Sequence, residues 1–129
     1  MSMELQILAC AVAWGLVHIA ISATLSVQQR GFDWAMGSRD QTPPLTGIAS
    51  RVNRALINFS ETFPLFAAAV LAVAVTQRGN ANSAIGAQLY LWARVAYLPV
   101  YALGIRYLRT LVWAVSAVGI VMVLLPLFP

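Results

Sequence analysis

Lysine is absent from this sequence and charge of either sign is scarce, with eight arginines and four acids among 129 residues. Charged residues make up 9% of the chain and apolar ones 60%, which leaves too little polar surface to coat a water-soluble domain. A mean hydropathy of +0.78 makes lipid part of the solvent. The net charge of +4 does not point to nucleic acid, because the arginines are scattered among apolar runs and form no solvated patch. Cys10 is the single cysteine, so an internal disulfide is excluded. Lying in an apolar run, it is expected to be a buried, inert thiol. His18, also alone of its kind, has no second ligand-type residue beside it, and it is expected to face the bundle and bond to a neighbouring helix instead of serving a metal or a proton relay. Glu4 stands where a signal peptide would carry basic residues, so the first apolar segment is expected to persist as a membrane helix.

What is present is long apolar runs. Leu5 to Gln29 carries no formal charge and is long enough for a tilted span. Arg30 to Gly47, with the turn-forming Pro43-Pro44, reads as one long polar loop. A second helix follows, polar at its start and apolar from Phe63 onward. Arg78-Gly79-Asn80 marks a short hairpin loop, then come a third helix interrupted by Arg94 and a charge-free fourth. The expected fold is therefore an all-α membrane protein, a single domain over residues 1–129. Its four transmembrane helices are expected at about 4–28, 48–76, 83–105 and 109–127. Four spans put both termini on one side. The other side gathers Arg30, Arg39, Arg51, Arg106 and Arg109, and the positive-inside rule turns that side to the cytoplasm.

The polar residues within the second and third helices are ordered. At 100° per residue, Arg51, Arg54, Asn58 and Glu61 fall in a sector of about 80°. Tyr90, Arg94, Tyr97 and Tyr101 share one face of the third helix in the same way. The two helices form an antiparallel hairpin, so residues at equal depth have position numbers with a nearly constant sum. Glu61 with Arg94, Asn58 with Tyr97 and Arg54 with Tyr101 satisfy that condition. An ion pair between Glu61 and Arg94 is the expected consequence, since ionisable groups at membrane depth need partners. The stripe still has more donors than one carboxylate can accept. Residue types alone leave two readings: an anionic ligand supplies the missing acceptors, or the outer arginines reach back to the interface while Arg94 ties the bundle together.

The run Arg51-Val52-Asn53-Arg54-Ala55-Leu56-Ile57-Asn58-Phe59-Ser60-Glu61-Thr62-Phe63-Pro64-Leu65-Phe66 resembles the signature of the MAPEG family, membrane-associated proteins of eicosanoid and glutathione metabolism. Tyr90-Leu91-Trp92-Ala93-Arg94-Val95-Ala96-Tyr97, followed by Tyr101, resembles that family's third helix. The pattern is similar to bacterial-type members and to the leukotriene C4 synthase and microsomal glutathione transferase branch. It departs at Thr62, where relatives often carry tyrosine, and at Leu56, where a polar residue is known.

The resemblance implies a homotrimer in a bacterial inner membrane, with glutathione bound as co-substrate near the cytoplasmic side and no metal. Arg54, Asn58, Glu61, Tyr97 and Tyr101 would hold the tripeptide, with Arg51 as an outer contact and Arg94 beside them. Arg109, or alternatively Arg106, would stabilise the thiolate. A free thiol titrates near pH 8.5, as about that value holds for cysteine, and an adjacent guanidinium lowers it. The implied activity is attack by glutathione or another thiol on a lipophilic electrophile, or reduction of a hydroperoxide. Two other functions fit the same outline. One is a non-catalytic lipid-binding or scaffold member of the fold. The other is a small multidrug transporter, but such proteins rely on an acid in the first helix, whereas the intramembrane acid here is Glu61 in the second.

Overall fold

Helix ends in this chain are set by a few polar side chains and by glycines with positive φ. In the computed structural model, which describes all 129 residues, Met3–Arg30 forms α1, Phe32–Met36 α2, Gly47–Thr76 α3, Ala81–Ala102 α4 and Arg106–Leu124 α5. A 3-10 turn, Leu125–Leu127, ends the last helix. The Ser2 hydroxyl accepts from the Leu5 amide to start α1. Gly31, at φ 97°, stops it. Asn80 and Ser83 form a reciprocal capping box at the start of α4, satisfying amides that the first helical turn leaves free.

The third and fourth sequence helices were expected to meet near residues 105–109. Instead α4 ends at Ala102 and α5 begins at Arg106, because Gly104 takes φ +73°, a left-handed value that breaks a helix. The stretch expected to be a plain polar loop contains α2 and is tied down. Gln29 donates to the Thr46 carbonyl at 2.9 Å and accepts from its amide at 3.0 Å, and Arg30 Nε donates to the Pro43 carbonyl at 2.6 Å.

α3 and α4 occupy the middle of the bundle, with α1 on one side and α5 on the other. The apolar core joins Ile7 and Ala11 of α1, Phe66, Val70 and Val73 of α3, Tyr90 and Leu91 of α4 and Val123 of α5. Phe66 and Tyr90 stack at 4.1 Å between ring centroids. His18 is buried as expected but not bonded to a neighbouring helix: it packs between the rings of Trp14 and Phe59, and neither ring nitrogen has a hydrogen-bond partner. Cys10 is exposed, contrary to the burial expected from its apolar neighbours, because it lies off the stripe of Ile7, Ala11, Gly15, His18 and Ser22 that α1 turns inward. One close helix contact is glycine on glycine: a Cβ added at Gly119 would lie 2.6 Å from the Gly86 carbonyl oxygen. Small residues there let α4 and α5 touch along their backbones.

Only 28 of 129 residues are buried, so most apolar side chains point outward, a surface that lipid tolerates and water does not. α1, α3 and the segment Arg106–Leu127 are each long and apolar enough to cross a membrane. The bundle's two ends differ. One holds the start of α1 and the α3–α4 loop, where Ser83 Oγ donates to the buried Glu4 carboxylate at 2.7 Å. The other gathers the loop after α1, the start of α3, the end of α4 and the start of α5, and with them six of the eight arginines.

Candidate functional site

At that arginine-rich end, α3, α4 and α5 form an open cavity of about 370 Å³ lined by Arg54, Ile57, Asn58, Glu61, Tyr97, Tyr101 and Arg109. A smaller recess of about 130 Å³ adjoins it through Asn58, Tyr97 and Arg109, and adds Thr110 and Trp113. Tyr101 organises the mouth. Arg54 Nε donates to its hydroxyl at 3.2 Å, while the Arg109 guanidinium lies over its ring, 4.8 Å from the centroid. One aromatic side chain thus holds two cations against the same space. Arg54 is steadied further by Nη1 donating to Ser50 Oγ at 2.7 Å. Tyr97 meets Tyr101 edge to face at 5.5 Å. Glu61 adds one carboxylate to the lining from the same helix as Arg54, and Asn58 Oδ1 is buried with no hydrogen-bond donor.

The charge pattern selects a class of ligand. Two guanidiniums favour carboxylate or thiolate groups, through forked and charge-assisted hydrogen bonds. Glu61 favours an ammonium, and the unpaired amide oxygen favours a further N–H. A larger groove of about 410 Å³ on the outside of α4 and α5, lined by Ile85, Trp92 and Val112 among others, is almost wholly apolar and offers no such chemistry.

The MAPEG family model matches residues 7–128, which takes in all but the first turn of α1, the whole of every later helix and every residue of the cavity. The chain belongs to the MAPEG family. No curated protein matches it.

The structure of this MAPEG protein brings together Arg54, Asn58, Glu61, Tyr97, Tyr101 and Arg109 and sets three other candidates apart. Arg51 Nε donates to the Ala102 carbonyl at 2.9 Å, so it caps the C-terminus of α4, where a cation meets the helix dipole. Arg106 is exposed and lies over its neighbour Tyr107, outside the cavity that Arg109 enters from one turn further along α5. Arg94 is buried behind Tyr97, whose ring lies 4.2 Å from its guanidinium carbon, with the ring of Phe59 at 5.8 Å.

The expected ion pair between Glu61 and Arg94 does not form, since no arginine nitrogen lies within 4.0 Å of a carboxylate oxygen and all three Arg94 nitrogens lack a hydrogen-bond partner. The reason is rotation of the helix face. Thr62 is the residue α3 turns toward α4 at that depth, and its hydroxyl meets the Tyr90 hydroxyl at 3.0 Å in the buried interior. Glu61, 100° round the helix, faces outward. The equal-depth argument holds for Arg54 with Tyr101 and for Asn58 with Tyr97, and fails one turn deeper.

Ile57, Thr110 and Trp113 line the site without having been expected there. Ile57 is three residues from Arg54, and Trp113 is four from Arg109, so helical neighbours of the charged residues carried the missing signal.

Proposed function

We propose that this protein is an integral membrane transferase or peroxidase that uses glutathione as co-substrate. The observation that supports this best is the cavity in which Arg54 and Arg109 share Tyr101 while Glu61 and the unpaired Asn58 oxygen line the same space. Glutathione carries two carboxylates, one ammonium, two amides and a thiol, a set that uses every one of those groups. In this reading Arg54 pairs with a carboxylate, Glu61 with the ammonium, and Asn58, Tyr97 and Tyr101 complete the hydrogen bonds. Arg109 lines both the cavity and the smaller recess with Thr110 and Trp113 and takes the thiolate.

Stabilising the thiolate is the catalytic step asked of the protein. Loss of the thiol proton to water leaves a sulfur anion beside Arg109, whose charge favours that form. With a lipophilic electrophile from the bilayer, sulfur bonds to carbon and the displaced group leaves with the electron pair. With a hydroperoxide, sulfur attacks the terminal oxygen and the O–O bond breaks. The products are an alcohol and a sulfenic acid, which a second thiol converts to disulfide and water.

The membrane arrangement belongs to the same proposal. α4, at 22 residues, reaches roughly 33 Å at 1.5 Å per residue, enough for a fourth span, and it buries Arg94, Tyr90 and Tyr97 away from lipid. The arginine-rich end then faces the cytoplasm. Arg54 and Glu61 are exposed in one chain, which leaves one flank of the cavity for a neighbouring copy in a homotrimer.

Isothermal titration of glutathione into detergent-solubilised protein tests the reading, with Arg54→Ala alongside. Saturable binding lost in the variant supports it. Absence of binding at millimolar glutathione overturns it. Binding without turnover of hydrophobic electrophiles or hydroperoxides points to a non-catalytic, lipid-binding or scaffold role.

A further inference from the structure

The short helix α2 and its flanking arginines have no part in the cavity, yet they are built with care. Arg30 and Arg39 place their guanidinium carbons 4.8 and 4.7 Å from the centroid of one ring, that of Trp34. Arg30 is fixed there by hydrogen bonds to the Pro43 carbonyl and Ser26 Oγ. Arg39 folds back so that Nε and Nη2 both donate to the Ala35 carbonyl, and it holds φ at 59° to do so. A side chain with a Cβ pays for that left-handed conformation.

Two like charges on one indole repel, and neither is paired with a carboxylate, although Asp33 and Asp40 lie in the same segment. Asp40 in the same loop accepts from Ser38 Oγ at 2.8 Å instead. Nη2 of Arg30 and Nη1 of Arg39 donate to nothing in the chain. On α2 itself, Phe32 and Met36, four residues apart and so on one face, are 67% and 69% exposed.

The position of α2 decides the occupant. It follows α1 after a single residue, Gly31, and α1 is long and apolar enough to cross the membrane, so α2 lies where headgroups and acyl chains meet. Apolar side chains on one face with guanidiniums beside them that each keep one unbonded nitrogen are the make-up of a helix lying in that interface. We propose that α2 docks on the bilayer with Phe32 and Met36 among the acyl chains, and that Arg30 and Arg39, mounted on Trp34, bind the phosphate of an anionic phospholipid headgroup. A phosphodiester offers the planar donors of two guanidiniums several acceptor oxygens.

The test is native mass spectrometry of detergent-solubilised protein titrated with phosphatidylglycerol or phosphatidylcholine of matched acyl chains. Wild-type protein is expected to retain phosphatidylglycerol preferentially, and Arg39→Gln to lower that preference about fivefold, the usual effect of one arginine at an anionic surface. Arg39 is the better target because its guanidinium bonds only to its own helix turn. Arg39→Lys, which keeps the charge and loses the fork, is expected to fall between the two. Phe32→Ser/Met36→Ser should weaken both lipids equally and leave the preference intact. Arg78→Gln, at the other end of the bundle, should change nothing. Full preference in Arg39→Gln overturns the proposal. So does displacement of the lipid by equimolar inorganic phosphate, because the site would then recognise free phosphate and no headgroup. Neither outcome depends on glutathione binding.

Discussion

Replacing Gly119 with alanine should separate α4 from α5 and carry Arg109 with it. The added Cβ would stand 2.6 Å from the Gly86 carbonyl oxygen and 2.8 Å from the Tyr90 amide nitrogen. Ordinary contact begins near 3.4 Å, so the helices must part by several tenths of an ångström. Both obstructing atoms belong to the backbone, so no side chain can swing aside to absorb the strain. Overpacking of this kind costs about 1–3 kcal/mol, and the upper end applies to a rigid contact. Alanine's better helix propensity returns about 1 kcal/mol. The net loss is about 2 kcal/mol, visible as a lowered Tm in a detergent unfolding assay. Function should suffer more than binding. Arg54, Asn58, Glu61, Tyr97 and Tyr101 sit on α3 and α4, whereas Arg109 alone among the cavity's charges rides on α5. A displacement of about 1 Å at a reacting group can cost 10²-fold in rate, so turnover should drop well beyond any change in ligand affinity. Gly86→Ala attacks the same contact, with the Gly119 oxygen at 2.7 Å, and the double variant should be less destabilised than the two singles predict together. An unchanged Tm for Gly119→Ala would refute the claim that the helices touch through their backbones.

Arg109→Ala is expected to cut conjugation by about 10²-fold, the usual scale for losing one preorganised anion stabiliser, while glutathione affinity stays within a few-fold. Its rate should also rise with pH toward the range of a free thiol, because the group that held the thiolate at lower pH is gone; Arg106→Ala, measured in the same pH series, should match wild type. Ser83→Ala removes the hydroxyl that donates to the buried Glu4 carboxylate at 2.7 Å. A lost hydrogen bond to a charged group costs about 1.5–3 kcal/mol, and the Tm should fall accordingly without change in turnover per folded molecule. Thr62→Val keeps the volume and strands the fully buried Tyr90 hydroxyl, at about 1–3 kcal/mol, again read as Tm; a stability equal to wild type would mean that the Thr62–Tyr90 contact contributes nothing.

How far the sequence could be read depended on which quantity each inference needed. Composition and run length suffice for long apolar helices, because the bilayer imposes one length scale and tolerates few charges. The spacing of Arg54, Asn58 and Glu61 was legible as a helix face, and so was the placement of Tyr97 and Tyr101 at matching depth. What spacing does not contain is the angle at which that face meets its neighbour. A rotation of one residue exchanges Glu61 for Thr62 at the α3–α4 contact, and with it the expected ion pair becomes a hydroxyl pair. The same uncertainty governs Arg94 and Arg51, which share the helix faces of cavity residues yet are drawn off by Tyr97 and by the end of α4. Cys10 repeats the lesson on α1, where an apolar run has no pattern to mark its inner side. α2 was hidden for another reason. Five residues make too short a helix for periodicity to register, and its order comes from Arg30, Gln29, Trp34 and Thr46 reaching across the loop, contacts that only a folded chain can make. The residues most resistant to sequence reading are therefore the arginines: depth alone could place Arg54, but whether a guanidinium binds, caps or stacks is decided by the single acceptor or ring within its reach.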